Sequence, residues 1–301
     1  MKILNLRLAR STVDRAAHIR SDENSLVAAW QSAKIIHFNG SGFLSSGKSL
    51  KFLGPSEIPS DESINEGLRI YLGEAEGDNF FLWLSETPLA PEESYKTLRE
   101  ISADLSPLEI GLAVHGQALA FWHQKSNYCP QCGTKTTPAL GGSVRRCQES
   151  HELYPRTDPA IIVLVKDASD RILLGRQGVW PEHRFSTFAG FVEAGESFEQ
   201  CVVREVYEEA GVRVSNINYL GSQPWPFPQS LMIAFEATIE DPENARPDGE
   251  EIVEIRWFNR DELYASIVEG ILLLPPVISV ARAMIQAWYG EKPLPGAETW
   301  R

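Results

Sequence analysis

One stretch of 23 residues, 190–212, constrains this chain more than any other. Its sequence is GFVEAGESFEQCVVREVYEEAGV. Ser197 is a favourable helix N-cap, the thirteen residues after it contain neither Pro nor Gly, and Gly211 is a common C-terminal stop. The stretch therefore predicts a helix over residues 197–210.

The predicted helix has an apolar face and an acidic face. At about 100° per residue, four apolar side chains share one arc, which predicts packing against a sheet. They are Val202, Val203, Val206 and Ala210. Glu205, Glu208 and Glu209 lie on the neighbouring arc, at i, i+3 and i+4, so their carboxylates converge. Such carboxylates repel one another, and a hard divalent cation removes the repulsion. A solvated acidic face is the alternative that the spacing alone leaves open.

Composition excludes several broad classes of protein. The chain has 301 residues, which suggests about two domains, and it is 43% hydrophobic and 23% charged, as globular proteins are. No apolar run approaches the roughly 18 residues of a membrane span. The net charge of −13 argues against binding of nucleic acid through a broad basic surface. Residues 125–156 differ, because five basic and two acidic residues give this window a net charge of +3.

The cysteines predict a metal site. Three of the four lie within nineteen residues, which favours a metal and a reducing compartment, so we expect a cytoplasmic protein. Cys129 and Cys132 form a C-x2-C-G knuckle, half of a zinc ribbon, and Cys147 follows after fourteen intervening residues. A standard ribbon has its fourth Cys near position 150, which is Ser here and is followed by His151. The fourth zinc ligand is therefore His151 or a water, and a ribbon that binds metal weakly or not at all is the alternative.

Strands and helices alternate along the rest of the chain. The predicted strands begin near residues 33, 69, 79, 161, 171, 232 and 254, and the predicted helices cover 91–105, 106–124, 197–210, 260–270 and 277–290.

Residues 190–212 resemble the Nudix box, G-x5-E-x7-R-E-U-x-E-E-x-G-U, in which U is apolar. A second motif, SQPWPFPQS at 222–230, begins ten residues after the box, where the NADH pyrophosphatase branch of the Nudix hydrolases carries it. WHQKSNYCPQCG, YPRTDPAIIVLV and LLGRQ also resemble this branch, so the resemblance covers nearly the whole chain. The fixed positions of the box are filled by Gly190, Glu196, Arg204, Glu205, Val206, Glu208, Glu209, Gly211 and Val212.

The resemblance implies an α/β fold in three parts. These are a small α+β N-terminal domain in 1–124, a zinc-ribbon-like module in 125–156, and a Nudix α/β/α sandwich with a mixed sheet in 157–301. The first domain is expected to contact substrate and to form a homodimer.

The same resemblance implies the reaction. This is hydrolysis of the pyrophosphate of NADH or NAD⁺ to a nicotinamide mononucleotide and AMP, together with removal of NAD caps from RNA. The basic window around Arg145 and Arg146 suggests a path for the RNA. Two alternatives are a broader Nudix diphosphatase acting on ADP-ribose or dinucleoside polyphosphates, and a Nudix-fold sensor that binds a nucleotide without turnover.

The resemblance also implies roles for named residues. Mg²⁺ or Mn²⁺ is expected on Glu205, Glu208, Glu209, Glu251 and the Ala189 carbonyl. We expect Arg204 to orient the carboxylates, and Glu208 or Glu251 to accept a proton. Flat faces of Trp225 and Phe227 are predicted to stack on a ring of the substrate. The residues implied in substrate binding are Arg99, Tyr154, Phe191, Gln223, Pro224, Trp225, Pro226, Phe227, Pro228, Gln229, Ser230 and Ala281.

Overall fold

A computed structural model describes residues 3–59 and 67–296, which form two compact units. Unit 1 comprises Met1–Arg7, Asp158–Pro224 and Ser230–Arg301, and unit 2 comprises Leu8–Thr157 and Trp225–Gln229. Most of the N-terminal region and the ribbon thus fall in one unit, together with residues 225–229 of the SQPWPFPQS motif.

Unit 2 is built on a mixed sheet and one long helix. Its elements are α1 (Ala17–Arg20), α2 (Glu23–Trp30), β1 (Lys34–Phe38), β2 (Phe43–Ser46), β3 (Ser49–Leu50), β4 (Leu68–Ala75), β5 (Asp78–Leu84), β6 (Tyr95–Lys96), α3 (Leu98–Ile101) and α4 (Pro107–Lys125). The strand order is β3-β2-β1-β5-β4, with β6 beside β2. Only β1 and β5 are parallel among these described pairs. Helix α4 begins at a capping box of Ser106 and Glu109, as predicted, and buries its apolar side chains in the core of the unit.

The helix predicted over residues 91–105 is wrong in most of its length. The structure has a 3-10 turn at Glu92–Ser94, then β6, which pairs with β2, and then the four-residue α3. A second capping box explains the break, because Thr97 and Glu100 bond to each other's backbone N–H groups and so start a new helix.

The ribbon in unit 2 is a three-stranded antiparallel sheet. Its strands are β7 (Thr136–Ala139), β8 (Val144–Cys147) and β9 (Glu152–Leu153), in that order. Further 3-10 turns in the described chain are Arg7–Ala9, Pro55–Glu57, Leu140–Gly142 and Pro242–Asn244.

Unit 1 has the predicted mixed sheet between helices. Its elements are β10 (Asp158–Lys166), β11 (Ile172–Gln177), β12 (Phe188–Phe191), α5 (Phe198–Ala210), β13 (Ser215–Trp225, whose last residue belongs to unit 2), β14 (Ser230–Thr238), β15 (Ile252–Phe258), α6 (Arg260–Val268) and α7 (Val280–Tyr289). The order is β13-β14-β10-β11-β15, with β12 beside β10. β10 is parallel to β14 and antiparallel to β11 and β12.

Strand β10 is apolar on both faces because a helix covers each face. Ile161, Val163 and Val165 share one core with the apolar side chains of α5, whereas Ile162 and Leu164 share another with those of α7. This alternation explains the continuous apolar run in the sequence and confirms the predicted α/β/α fold.

Helix α5 begins and ends where the sequence predicts. Ser197 caps it by accepting a hydrogen bond from the Gln200 backbone, and Gly211 ends it with a φ of 68°, which a residue with a Cβ rarely adopts. Val202, Val206 and Ala210 are fully buried, and Cys201 packs beside them. Burial of each valine side chain stabilises the fold by about 1.5–3 kcal/mol, so the apolar arc fixes which face the acidic residues occupy.

Candidate active site and metal centre

Glu209 is the most unusual acidic residue of α5. Its side chain is 4% exposed, and its Oε2 has no hydrogen-bond partner among the described residues. Burial raises its pKa to about 9, and the neighbouring charges of Glu251 and Glu205 add to the shift. A buried carboxylate with an orphaned oxygen beside further carboxylates is costly unless a cation offsets the charge. These residues therefore fit a hard divalent ion.

Glu205 lies on the adjacent part of the helix surface. Burial is the main cause that raises its pKa, and Glu208 and Glu251 contribute through their charges. Its carboxylate lies so close to Gly190 on β12 that a Cβ built there would be 1.9 Å from Glu205 Cδ. A side chain at position 190 would therefore require the Glu205 carboxylate to move, which gives a physical reason for the first glycine of the motif.

Arg204 ties the acidic side chains together. It donates to Glu196 at 2.8 and 2.9 Å, to Glu205 at 2.7 Å and to Glu208 at 3.0 Å. A further bond reaches the Phe191 carbonyl at 3.0 Å. The guanidinium lowers the pKa of Glu196 to about 2, and Glu196 in turn accepts from the Glu193 backbone. The loop before α5 is thus fastened to the helix.

Sequence reasoning missed Gln177, at the end of β11. Its Nε2 donates to Glu251 Oε1 at 2.7 Å. Gln177 pairs with Ile252 in the register of β11 and β15, which brings the two side chains together. The motif LLGRQ contains this glutamine, but only the strand register shows which carboxylate it meets.

The predicted substrate-binding residues of unit 1 differ in exposure. Phe191 is 60% exposed at the end of β12, whereas Ala281 is 2% exposed on α7. Gln223 is fully buried, and its amide donates to the Ile278 carbonyl at 2.9 Å. The Gln223 side chain therefore stabilises the backbone at Ile278 within unit 1. Pro224 and Ser230 are half-buried where the chain leaves unit 1 and re-enters it.

The aromatic side chains of the SQPWPFPQS motif pack within unit 2. Trp225 and Phe227 meet edge to face at 4.9 Å and lie against the core of that unit. The Arg99 guanidinium lies 4.0 Å from the Phe227 ring centre and 5.4 Å from that of Trp225. One face of the Phe227 ring therefore lies against Arg99. Pro226 is buried, and the Gln117 side chain on α4 donates to its carbonyl at 2.6 Å.

Three more predicted residues lie in unit 2 and are at least partly accessible. Tyr154 is 65% exposed and donates to Glu152. Pro228 is exposed and Gln229 half-buried.

The ribbon cysteines and His151 form a second site. The ligand atoms of Cys129, Cys132, Cys147 and His151 all lie within 4.8 Å of one another, which no other such group of Cys, His, Asp and Glu among the described residues achieves. The Cys132 and Cys147 sulfurs are 3.7 Å apart, and Cys129 Sγ is 3.6 Å from His151 Nδ1. Tetrahedral zinc with Zn–S bonds of about 2.3 Å spaces its ligands by about 3.8 Å, so this donor set fits structural zinc with His151 as the fourth ligand.

The two ribbon arginines named for the RNA path differ in exposure. Arg145, expected on an RNA path, is only 6% exposed. Arg146 is exposed but paired with Glu152. No helix within the described ranges is long and apolar enough to cross a membrane.

Both sites lie in regions of the chain that resemble known protein families. The NUDIX domain profile matches residues 156–273, and the NADH pyrophosphatase zinc ribbon domain profile matches residues 124–151. The NAD-capped RNA hydrolase NudC of Mycobacterium bovis is 38% identical over 297 residues, covering 93% of this chain and 94% of its own length. The NAD-capped RNA hydrolase of Schizosaccharomyces pombe is 35% identical over 221 residues, covering 65% of this chain and 59% of its own.

Proposed function

We propose that this chain, which belongs to the Nudix hydrolases with an NADH pyrophosphatase zinc ribbon, hydrolyses the pyrophosphate of NADH and NAD⁺ and removes NAD caps from RNA. The observation that carries the proposal is the buried Glu209 with its orphaned oxygen inside an otherwise intact set of carboxylates. A protein that only bound nucleotides would have no reason to keep this costly arrangement. The names of the relatives supply the substrate class.

The residues of the site have different roles in the reaction. Glu205, Glu209, Glu251 and the Ala189 carbonyl would hold Mg²⁺ or Mn²⁺. When bound, the ion supplies an acidified water and neutralises charge on the phosphate oxygens. Arg204 keeps the carboxylates of α5 in place through its hydrogen bonds.

The bond changes are those of a hydrolysis. The water oxygen attacks one phosphorus, the bond from that phosphorus to the bridging oxygen breaks, and AMP and the nicotinamide mononucleotide leave. Glu208 or Glu251 accepts the proton of the water. Both candidates are exposed: Arg204 bonds to Glu208, whereas Gln177 bonds to Glu251. The residues named for substrate binding remain part of this proposal.

An assay for AMP tests the proposal. Purified protein with Mn²⁺ should release AMP from NADH, and from NAD-capped RNA it should release nicotinamide mononucleotide and leave an RNA with a 5′-monophosphate. Glu209→Gln should lose most of both activities at unchanged zinc content. Turnover of ADP-ribose without AMP from NADH would favour a broader diphosphatase. No turnover of any of these substrates would favour a nucleotide sensor.

Two further features belong to the proposal. We expect a homodimer, as the family resemblance implies, and light scattering of the purified protein at micromolar concentration tests it. We also expect a cytoplasmic protein. None of the four cysteines forms a disulfide and three of them belong to the metal-ligand cluster, which suits a reducing compartment.

A further inference from the structure

Arg145 on β8 is a buried cation whose hydrogen-bond partners are all uncharged. Its Nε donates to Thr136 Oγ1 at 2.8 Å, and its Nη2 donates to the Thr136 carbonyl at 2.9 Å and to Asn127 Oδ1 at 3.5 Å. Its Nη1 lies 2.8 Å from Nδ1 of His123. A guanidinium has five N–H groups, so one N–H of Nη1 has no acceptor among the described residues.

His123 is neutral and supplies no charge of its own. Its Nε2 donates to the Gly142 carbonyl at 2.7 Å, so Nδ1 carries the lone pair that accepts from Arg145. Burial lowers the pKa of His123 to about 4, and the charge of Arg145 adds to the shift. The Arg145 guanidinium therefore keeps its full positive charge against a neutral imidazole at physiological pH.

No described carboxylate compensates this charge. Arg145 forms no ion pair with a carboxylate in the described part of the chain. Ion pairs in the ribbon involve Arg146 and Glu152 instead. A buried ion without a counter-charge is costly, so the surroundings of Arg145 favour an anion from outside the chain.

A cleft beside Arg145 has room for such an anion. Its volume is about 700 Å³, which is within the range of sites for small molecules. Ser85 and Thr87, which line it, directly follow β5, and β5 is parallel to β1. Ligands commonly bind beyond the carboxyl ends of parallel strands in open sheets.

The cleft also provides polar groups that suit an oxyanion. Thr87, Gln124 and Asn127, whose side chains carry a hydroxyl or an amide, line it together with Arg145. Glu86 is the carboxylate of this lining, and it is exposed, so solvent screens its charge.

We propose that this cleft of unit 2 binds a small anion bearing a phosphate group, with Arg145 as its counter-charge and Thr87 and Gln124 as additional donors. Phosphate oxygens point in several directions, which suits donors on different sides of a cleft better than a planar carboxylate does. The proposed site belongs to unit 2, whereas the carboxylates of α5 belong to unit 1 and repel anions when no divalent ion is present.

Replacement of Asn127 by Asp is the sharpest test. The change keeps the Oδ1 acceptor of Arg145 and adds the missing negative charge at almost constant shape. Asn218→Asp, at an exposed position of β13, is the control with the same change in net charge. The full-length zinc-loaded protein is titrated with inorganic phosphate by calorimetry in buffer without Mg²⁺ or Mn²⁺, and acetate replaces phosphate in a parallel titration.

The proposal predicts saturable phosphate binding to the wild type and to Asn218→Asp. Binding to Asn127→Asp should be weaker by about tenfold or more, because the carboxylate already neutralises the guanidinium. If Asn127→Asp does not fold, Thr87→Val decides, since it should weaken phosphate binding without loss of zinc. No saturable binding to the wild type would show that Arg145 only stabilises the ribbon through its hydrogen bonds, and this result would overturn the proposal. Equal binding to Asn127→Asp and Asn218→Asp, or equal binding of acetate and phosphate, would overturn it as well.

Discussion

Glu209 is a carboxyl group that the fold keeps away from water and leaves with one unpaired oxygen among the described residues. Its pKa of about 9 in the folded chain lies above the ordinary value of 4.5. Between these values the folded protein binds more protons than the unfolded chain, so the free energy of unfolding falls as the pH rises. The same group that destabilises the metal-free protein is the group that a divalent ion would stabilise.

A pH series on Glu209→Gln tests this linkage. In buffer without Mg²⁺ or Mn²⁺, the wild type should lose stability from about pH 4.5 to about pH 9, with no further loss from this group above pH 9. Glu209→Gln cannot ionise, so its stability should depend less on pH over that window and exceed that of the wild type at its upper end. Urea denaturation from about pH 5 to about pH 9 measures both. Parallel curves for the two proteins would refute the assignment of the raised pKa to Glu209.

Gly190→Ala should damage the site without removing any functional group. The new Cβ would occupy the position of the Glu205 carboxylate, so either the carboxylate or β12 must move. A displacement of about 1 Å can cost on the order of a hundredfold in rate. We therefore expect kcat to fall by about that factor. Gly54→Ala is the control, because a Cβ there meets only the end of the Glu57 side chain at 3.7 Å. Normal kcat for Gly190→Ala would contradict the steric argument.

At the scale of elements, the SQPWPFPQS motif depends on contacts with distant parts of the chain. Its five residues 225–229 belong to unit 2 although their chain neighbours belong to unit 1. Arg99 at α3 lies over Phe227, and Gln117 from the middle of α4 bonds to Pro226. The backbone conformation of the motif is therefore held by residues more than a hundred positions earlier in the sequence.

Gln117→Leu should weaken substrate binding more than it slows the chemistry. The change removes the donor to the Pro226 carbonyl at similar side-chain volume, and an unpaired buried carbonyl costs about 1–3 kcal/mol. If residues 225–229 bind substrate, as we propose, KM for NADH should rise about tenfold while kcat changes little. Steady-state kinetics of Gln117→Leu beside the exposed Gln31→Leu measure the effect. A lower kcat at unchanged KM would show that Gln117 does not act through the motif.

The sequence predicts elements that depend on local signals better than elements that depend on distant contacts. Period and caps predict α4 and α5 almost to the residue, because these signals are local and the structure uses them unchanged. The helix predicted over 91–105 fails because pairing with β2 outweighs local propensity. Likewise, the spacing on α5 predicts three acidic neighbours but cannot show that Glu209 alone is deeply buried. Gln117 and Gln177 have no local signal, since each acts on a distant segment.

His151→Ala tests the ribbon as an element that depends on its metal. The three cysteines and the histidine have the spacing of a tetrahedral site, so loss of one ligand should lower zinc affinity and stability of the ribbon. His151→Cys should retain zinc, because a thiolate can take the same corner. Zinc content after dialysis against a mild chelator measures affinity, and thermal unfolding measures stability. Full zinc retention by His151→Ala would show that His151 is not the fourth ligand.

At the scale of the whole molecule, charge limits how RNA can be recognised. The chain carries a net charge of −13, and the two basic residues that seemed to mark an RNA path are a buried Arg145 and an ion-paired Arg146. A chain of this net charge is expected to neutralise few phosphates of the RNA beyond the cap. The cap itself, rather than the RNA chain, should supply the binding energy.

Salt dependence of the cleavage of NAD-capped RNA tests this conclusion. For single strands, the logarithm of affinity falls with the logarithm of salt concentration at a slope of about −0.7 per neutralised phosphate. With two or fewer contacts, raising KCl from about 50 mM to about 200 mM should lower kcat/KM by less than about tenfold, relative to NADH under the same conditions. The double change Arg146→Ala and Glu152→Ala should leave this ratio unchanged, because the pair carries no net charge. A loss of about a thousandfold would require about seven phosphate contacts and would contradict the conclusion that the cap supplies the binding energy.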